Sequence, residues 1–120
     1  YYVVDMAFKQ LLLPDINRDR GHILENVVYL ELRRRGYTVY VGQLTKGEID
    51  FVAQKPGGIL EYYQVSESVL DPATRDRELA PLEAVKDQYP KFLLTMDELY
   101  KPHNYNGIQQ CNVLDWLLGM

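Results

Sequence analysis

Apolar and polar positions along this chain follow two periods, and the switch between them marks the elements. Over residues 21–35, Leu24, Val27, Val28, Leu30 and Leu32 form a broad apolar face at helical spacing. Arg33, Arg34 and Arg35 fall in the last turn, where cations suit the negative end of the helix dipole, and Gly36 follows as a C-terminal cap. The period then shortens to two. Residues 37–41, 48–54 (EIDFVAQ) and 59–66 (ILEYYQVS) predict three strands, with Pro56-Gly57-Gly58 as a tight turn between the last two, so the three read as an antiparallel meander. Asp71-Pro72 opens a second helix, with Asp as N-cap and Pro at the first helical position. Leu79, Leu82 and Val85 line one side of it, and Pro81 is expected to break or kink it near its middle. Residues 91–96 (KFLLTM) predict a buried strand, 97–106 a polar loop, 108–112 a last short strand and 113–118 a closing helix. Ahead of all these, Tyr1-Tyr2-Val3-Val4 is a short β-like run, residues 6–13 read as one or two helical turns ended by Pro14, and residues 15–20 as a polar loop. The sum is a mixed α/β chain whose strands are both antiparallel and crossover-linked.

Composition narrows the class. With 120 residues, 47% hydrophobic and 25% charged, the chain suits one compact domain over 1–120 with a core of its own. Thirteen Lys and Arg against seventeen Asp and Glu leave a net charge of −4, the wrong balance for a domain that coats itself in nucleic acid. A single cysteine, Cys111, excludes an internal disulfide and any zinc site built on several thiolates, and two histidines, His22 and His103, exclude a His-rich metal site. No apolar run approaches the ~20 residues that span a bilayer. A reducing, cytoplasmic setting without membrane contact is the expectation. The chain opens at Tyr1 rather than Met, as expected of a C-terminal piece of a longer protein.

Three positions carry candidate chemistry. Glu25 lies on the first long helix, Asp50 in the second strand of the meander and Gln64 in the third. Alternation puts Asp50 on one face with Val52, and Gln64 on one face with Tyr62 and Ser66. If the helix packs on that face, two carboxylates and an amide oxygen converge. These are hard oxygen ligands suited to Mg²⁺ or Mn²⁺.

At this point the chain resembles a known family. A helix Glu, a strand Asp and then (Asp/Glu)-X-Lys on the next strand is the pattern of the PD-(D/E)XK nuclease superfamily. The runs YYVVD, GHILENVVYLELRRRGYTVYVG, EIDFVA and YYQVS resemble the DUF4143 domain, the nuclease-like C-terminal part of bacterial and archaeal AAA-type ATPases, over nearly all of residues 1–118. The resemblance implies a restriction-endonuclease-like core, a mixed sheet flanked by helices. It places Glu25 and Asp50 at the two acidic positions, but Gln64 stands where the motif wants Asp or Glu, and Ser66 where it wants Lys. In such nucleases metals activate water and the Lys adds a cation beside it, so both departures point to a degenerate site. Arg75 or Arg77, on the helix after the third strand, are the cations that would have to replace the Lys. The implied function is a non-cleaving module of an AAA-type ATPase that binds a protein or nucleic-acid partner. The alternatives are an active Mg²⁺-dependent DNA endonuclease using Glu25, Asp50 and Gln64, and a structural or oligomerisation domain.

Other features have plainer readings. Arg33-Arg34-Arg35, Lys46 and Lys55 could contact phosphate, yet such positions are more often solvated. Seven of the tyrosines (Tyr1, Tyr2, Tyr29, Tyr37, Tyr40, Tyr62, Tyr63) could form an aromatic surface, against the simpler reading of amphipathic packing. His22 is expected to be structural and Cys111 a small buried apolar residue. Gly42 to Gly47 (GQLTKG) has the wrong order and spacing for a phosphate-binding P-loop, so nucleotide is expected to bind upstream of Tyr1 in the parent protein.

Overall fold

A computed structural model describes residues 20–44, 47–99 and 103–119. The β-like run at residues 1–4, the helical turns at 6–13 and the polar loop up to residue 19 lie outside the described residues, as do Lys46, Tyr1 and Tyr2.

Helix α1 is Arg20–Arg34. Its end is a Schellman motif. Gly36 takes φ +89°, the amide of Tyr37 donates to Leu32 O at 3.0 Å and that of Gly36 to Arg33 O at 3.0 Å. Strands β1 (Thr38–Leu44), β2 (Gly47–Gln54) and β3 (Leu60–Val65) follow as the expected antiparallel meander. The β2–β3 turn closes through Gly58 N to Lys55 O at 2.9 Å, with Gly57 and Gly58 both at positive φ.

Helix α2 is Pro72–Ala84, capped by the Asp71 carboxylate on Thr74 N. Pro81 lies inside it and does not break it, which removes the first of the two expected consequences. The helix runs on for three residues past it: the proline removes a single backbone bond, and its buried ring lies against Gly47 at the start of β2. Strands β4 (Lys91–Thr95), β5 (His103–Tyr105) and β6 (Ile108–Asn112) and helix α3 (Val113–Leu117) complete the chain. Strand β5 falls where a polar loop is expected. It pairs with β6 across Asn106 (φ 54°) and Gly107 (φ 95°), two residues whose left-handed backbone makes a two-residue hairpin turn.

The sheet order is β1-β2-β3-β4-β6-β5, with β3, β4 and β6 parallel and the other pairs antiparallel. This is the mixed sheet flanked by helices expected of a restriction-endonuclease-like core. One face packs Phe51, Ala53, Tyr63, Val65 and Leu94 against Val28, Tyr29 and Leu32 of α1 and Val113 and Trp116 of α3. The opposite face packs Ile49, Tyr62, Leu93 and Ile108 against Leu79 and Leu82 of α2. No helix among the described residues is long and apolar enough to cross a membrane.

Candidate functional site

Strand β2 breaks its own alternation at the point of interest. Tyr40 pairs with Val52 and Gly42 with Ile49, so the single residue Val41 faces both Asp50 and Phe51. This is a β-bulge, and it explains why Ile49 and Val52, three apart, share the α2 face. The bulge also ends regular pairing with β3. That ladder stops at Phe51 opposite Tyr63, one step short of Asp50 and Gln64.

Beyond that step, side chains take over from the backbone. The amide of Asp50 donates to Gln64 Oε1 at 2.6 Å, and the amide of Val65 donates to Asp50 Oδ2 at 2.8 Å. The other end of Gln64, Nε2, donates to the backbone oxygen of Glu78 on α2 at 3.2 Å. Gln64 is 3% exposed, so a satisfied partner at each end is what its burial demands.

The expected route to convergence therefore needs correction. Helix α1, which carries Glu25, covers the face of Phe51 and Tyr63, whereas Gln64 reaches the other way, to α2. Glu25, Asp50 and Gln64 do not meet on one face under one helix. Asp50 is bonded through Gln64, while Glu25 acts on it as a charge: burial first, then the Glu25 carboxylate, pushes the Asp50 carboxyl from 3.8 up to about 7. The amide of Val65 works against this rise, and the carboxylates of Glu78 and Glu48 add to it. Glu25 itself is raised by burial and then by Glu78 and Glu48, and Glu78 is raised by burial. Glu78 and Glu48 were not singled out from sequence. A glutamate on the helix after a third strand carries no signal of its own; only the tertiary packing of α2 makes it a neighbour of Asp50.

The other sequence candidates have separate occupations. The hydroxyl of Ser66 donates to Ser68 O at 3.1 Å. Arg75 lies over the ring of Tyr105 at 5.8 Å, and Arg77 acts on Glu78, whose carboxyl it pulls down against burial. Arg34 and Arg35 both bind Glu31 at 2.7 Å, and Arg33 donates to the Tyr29 hydroxyl, so the arginine run is largely answered within its own helix. Lys55 pairs with Glu61 at 3.1 Å. Tyr29, Tyr62 and Tyr63 are core residues and Tyr37 packs half-buried against the core, while Tyr40 is exposed. Cys111 is half-buried and packs beside the α1 face.

The donor set as placed is a poor fit for a divalent cation. Gln64 spends its oxygen on the Asp50 amide, and Asp50 spends one oxygen on Val65. Among the described residues no three His, Cys, Asp or Glu side chains are grouped to hold a metal ion. What the arrangement does chemically is hold a buried carboxyl, crowded by other carboxyls, beside a neutral amide.

No family model matches the chain, and no solved structure matches it. A protein of Haemophilus influenzae described as uncharacterized is similar, at 37% identity over 118 residues. That stretch is 98% of this chain and 28% of the relative, so the chain spans little more than a quarter of the relative's length.

Proposed function

We propose that this chain is a nuclease-like module that does not cleave, and that it serves a larger AAA-type ATPase as a binding or regulatory part. The observation that carries the reading is the fate of the two departed motif positions. At the acidic position, the Gln64 amide is lodged between the Asp50 amide and Glu78 O; at the lysine position, Ser66 hydrogen-bonds its own loop. Position 64 then supplies no carboxylate, and position 66 no cation, beside Asp50 to activate water or stabilise a phosphate in flight. The larger assembly is supported by the family resemblance and by the relative that extends far beyond the matched stretch. A protein partner is favoured over nucleic acid by the net charge of −4 and by the pairing of Arg34, Arg35 and Lys55 with glutamates.

Two measurements test this. The purified domain is incubated with supercoiled, linear and single-stranded DNA under Mg²⁺ and Mn²⁺; the expected result is no metal-dependent cleavage. Cleavage that Asp50→Asn abolishes would refute the reading in favour of a true endonuclease. ATP hydrolysis by the parent polypeptide is then compared with and without this domain. A changed rate is expected, whereas an unchanged rate together with self-association of the isolated domain would point to a purely structural part.

A further inference from the structure

Away from Asp50, a cleft of about 720 Å³ lies where α2 ends and β4 and β6 begin. That volume is in the ordinary range for a ligand site. Its floor is apolar: Leu82 and Ile108 are buried, and Val85 packs half-buried beside them. Its two walls are fixed. In one, residues 85–90, Lys91 Nζ donates to Asp87 O at 3.0 Å, to Asp87 Oδ1 at 3.1 Å and to Tyr89 O at 3.1 Å. The Tyr62 hydroxyl donates to the other Asp87 oxygen at 2.6 Å. Lys91 thus uses all three of its hydrogens, and Asp87 both of its carboxylate oxygens, to hold an exposed loop in one shape. The other wall is the Asn106-Gly107 turn, held by Gly107 N donating to Asn104 Oδ1 at 2.8 Å and by the β5–β6 pairing. A surface shaped before its ligand arrives loses little entropy on binding.

What a ligand meets is the chemistry these bonds leave unused. Among the described residues, no hydrogen bond or ion pair engages the side chains of Glu83, Lys86, Gln88 or Asn106, all exposed on the rim. Tyr89 stands beside them, 39% exposed. One carboxylate and one ammonium sum to zero, so the rim offers a polyanion no net attraction. The two side-chain amides each donate and accept, as a peptide backbone does. A tyrosine and polar groups around an apolar floor make the composition of a protein interface. We propose that the cleft takes a short extended segment of a protein partner, with an apolar side chain on Leu82, Val85 and Ile108 and its backbone against Gln88 and Asn106. A helical segment would keep its backbone groups to itself, so an extended one fits. This rests on the reading of the module as protein-binding and adds the place where it binds. The cleft lies at the start of β4 and β6, whereas Asp50 is bonded at the end of β3, so the motif positions and the proposed site are separate.

The test pans a phage library of random short peptides against the whole chain, then measures the enriched peptides by fluorescence anisotropy and amide chemical shifts. Enriched peptides are expected to share an apolar residue and to move the amides of Val85, Lys86, Gly107 and Ile108. Tyr89→Ala and Gln88→Ala remove exposed side chains and should leave the folded spectrum intact. Each is expected to weaken binding by about fivefold or more, while Tyr40→Ala, at an exposed tyrosine on β1, leaves it unchanged. No enriched peptide, shifts that fall outside the cleft, or an affinity that either cleft variant leaves unchanged overturns the proposal. So does a single-stranded DNA oligomer that moves the same amides. Cleavage that depends on Asp50 would refute the non-cleaving reading with peptide binding intact, and a chain that neither cleaves nor binds peptide would lose the cleft alone, so the two readings fail separately.

Discussion

Replacing Asp50 by Asn should make the protein more stable at neutral pH, and the size of the gain follows from the site. In the folded chain the Asp50 carboxyl is pushed from 3.8 up to about 7, by burial first and by Glu25 next. The folded state therefore prefers the protonated acid. Below about pH 4 the carboxyl is protonated in both folded and unfolded chains and costs nothing. Between pH 4 and 7 the unfolded chain sheds the proton while the folded one keeps it, so stability falls as pH rises. Above 7 both are ionised and the loss has levelled off. Roughly three powers of ten in proton affinity, at about 1.4 kcal/mol per tenfold, set a ceiling of about 4 kcal/mol. Glu25 shares the cluster and takes part of the proton, so about 2–4 kcal/mol is expected.

Asparagine mimics the protonated acid. It keeps an oxygen to accept from Val65 N and carries no charge to bury. Urea unfolding of wild type and Asp50→Asn, in EDTA at half-unit steps from pH 4 to 8.5, isolates the effect as a difference. The two curves should coincide near pH 4 and separate steadily up to pH 7, with the variant above. A variant that is less stable than wild type at pH 8 would refute the reasoning, since it would mean that the ionised carboxylate is a net stabiliser. A difference that does not vary with pH would do the same.

Three further outcomes test the fold. Leu32 is fully buried between α1 and the sheet, and Leu32→Ala should cost about 3 kcal/mol in urea unfolding, the usual price of a core cavity. Asp71 accepts from both the amide and the hydroxyl of Thr74, and Asp71→Ala should cost about 1 kcal/mol through the lost cap, with the far-UV helical signal of the folded protein little changed. A Cβ at Gly42 would stand 2.9 Å from Val52 Cγ2 and 3.1 Å from Ile49 Cβ; because β-branched Val52 has little rotamer freedom, Gly42→Ala should destabilise by about 1–3 kcal/mol, measured in the same assay.

Most elements are written locally. Helix α1 announces its apolar face and its glycine end, the meander its period of two and its Pro-Gly-Gly turn, and α2 its Asp-Pro start. Each of these signals acts within a few residues, and each gave an element within about three residues of where it lies. The two misjudged features show what local reading leaves out. Strand β5 is His-Asn-Tyr, too short and polar for a period, yet Asn106-Gly107 just after it is a strong hairpin signal that a polar composition obscured. Pro81 reads as a breaker from its type, but its consequence depends on how many helical bonds remain after it, which the local pattern does not say.

The site was legible in its residues and illegible in its geometry, and one event explains both. Sequence reasoning carried Asp50 and Gln64 to a shared place by assuming that alternation holds through residues 48–54. Alternation fails there, because a bulge sets Asp50 and Phe51 against one partner. Had the strand been regular, the Val65 amide, which faces β2, would have met the backbone of β2, and neither the Asp50 carboxylate nor the Gln64 amide would have had a broken ladder to mend. The bulge instead leaves a backbone amide on each strand in want of an acceptor, Asp50 on one and Val65 on the other, and the two side chains that supply those acceptors are the same two that the motif positions single out. A glutamine is the better residue at such a joint when no cation is present, since it can accept from one strand and donate to a helix without adding charge to its acidic neighbours. Position 64 is thus filled by an amide that completes the sheet and adds no charge beside Asp50.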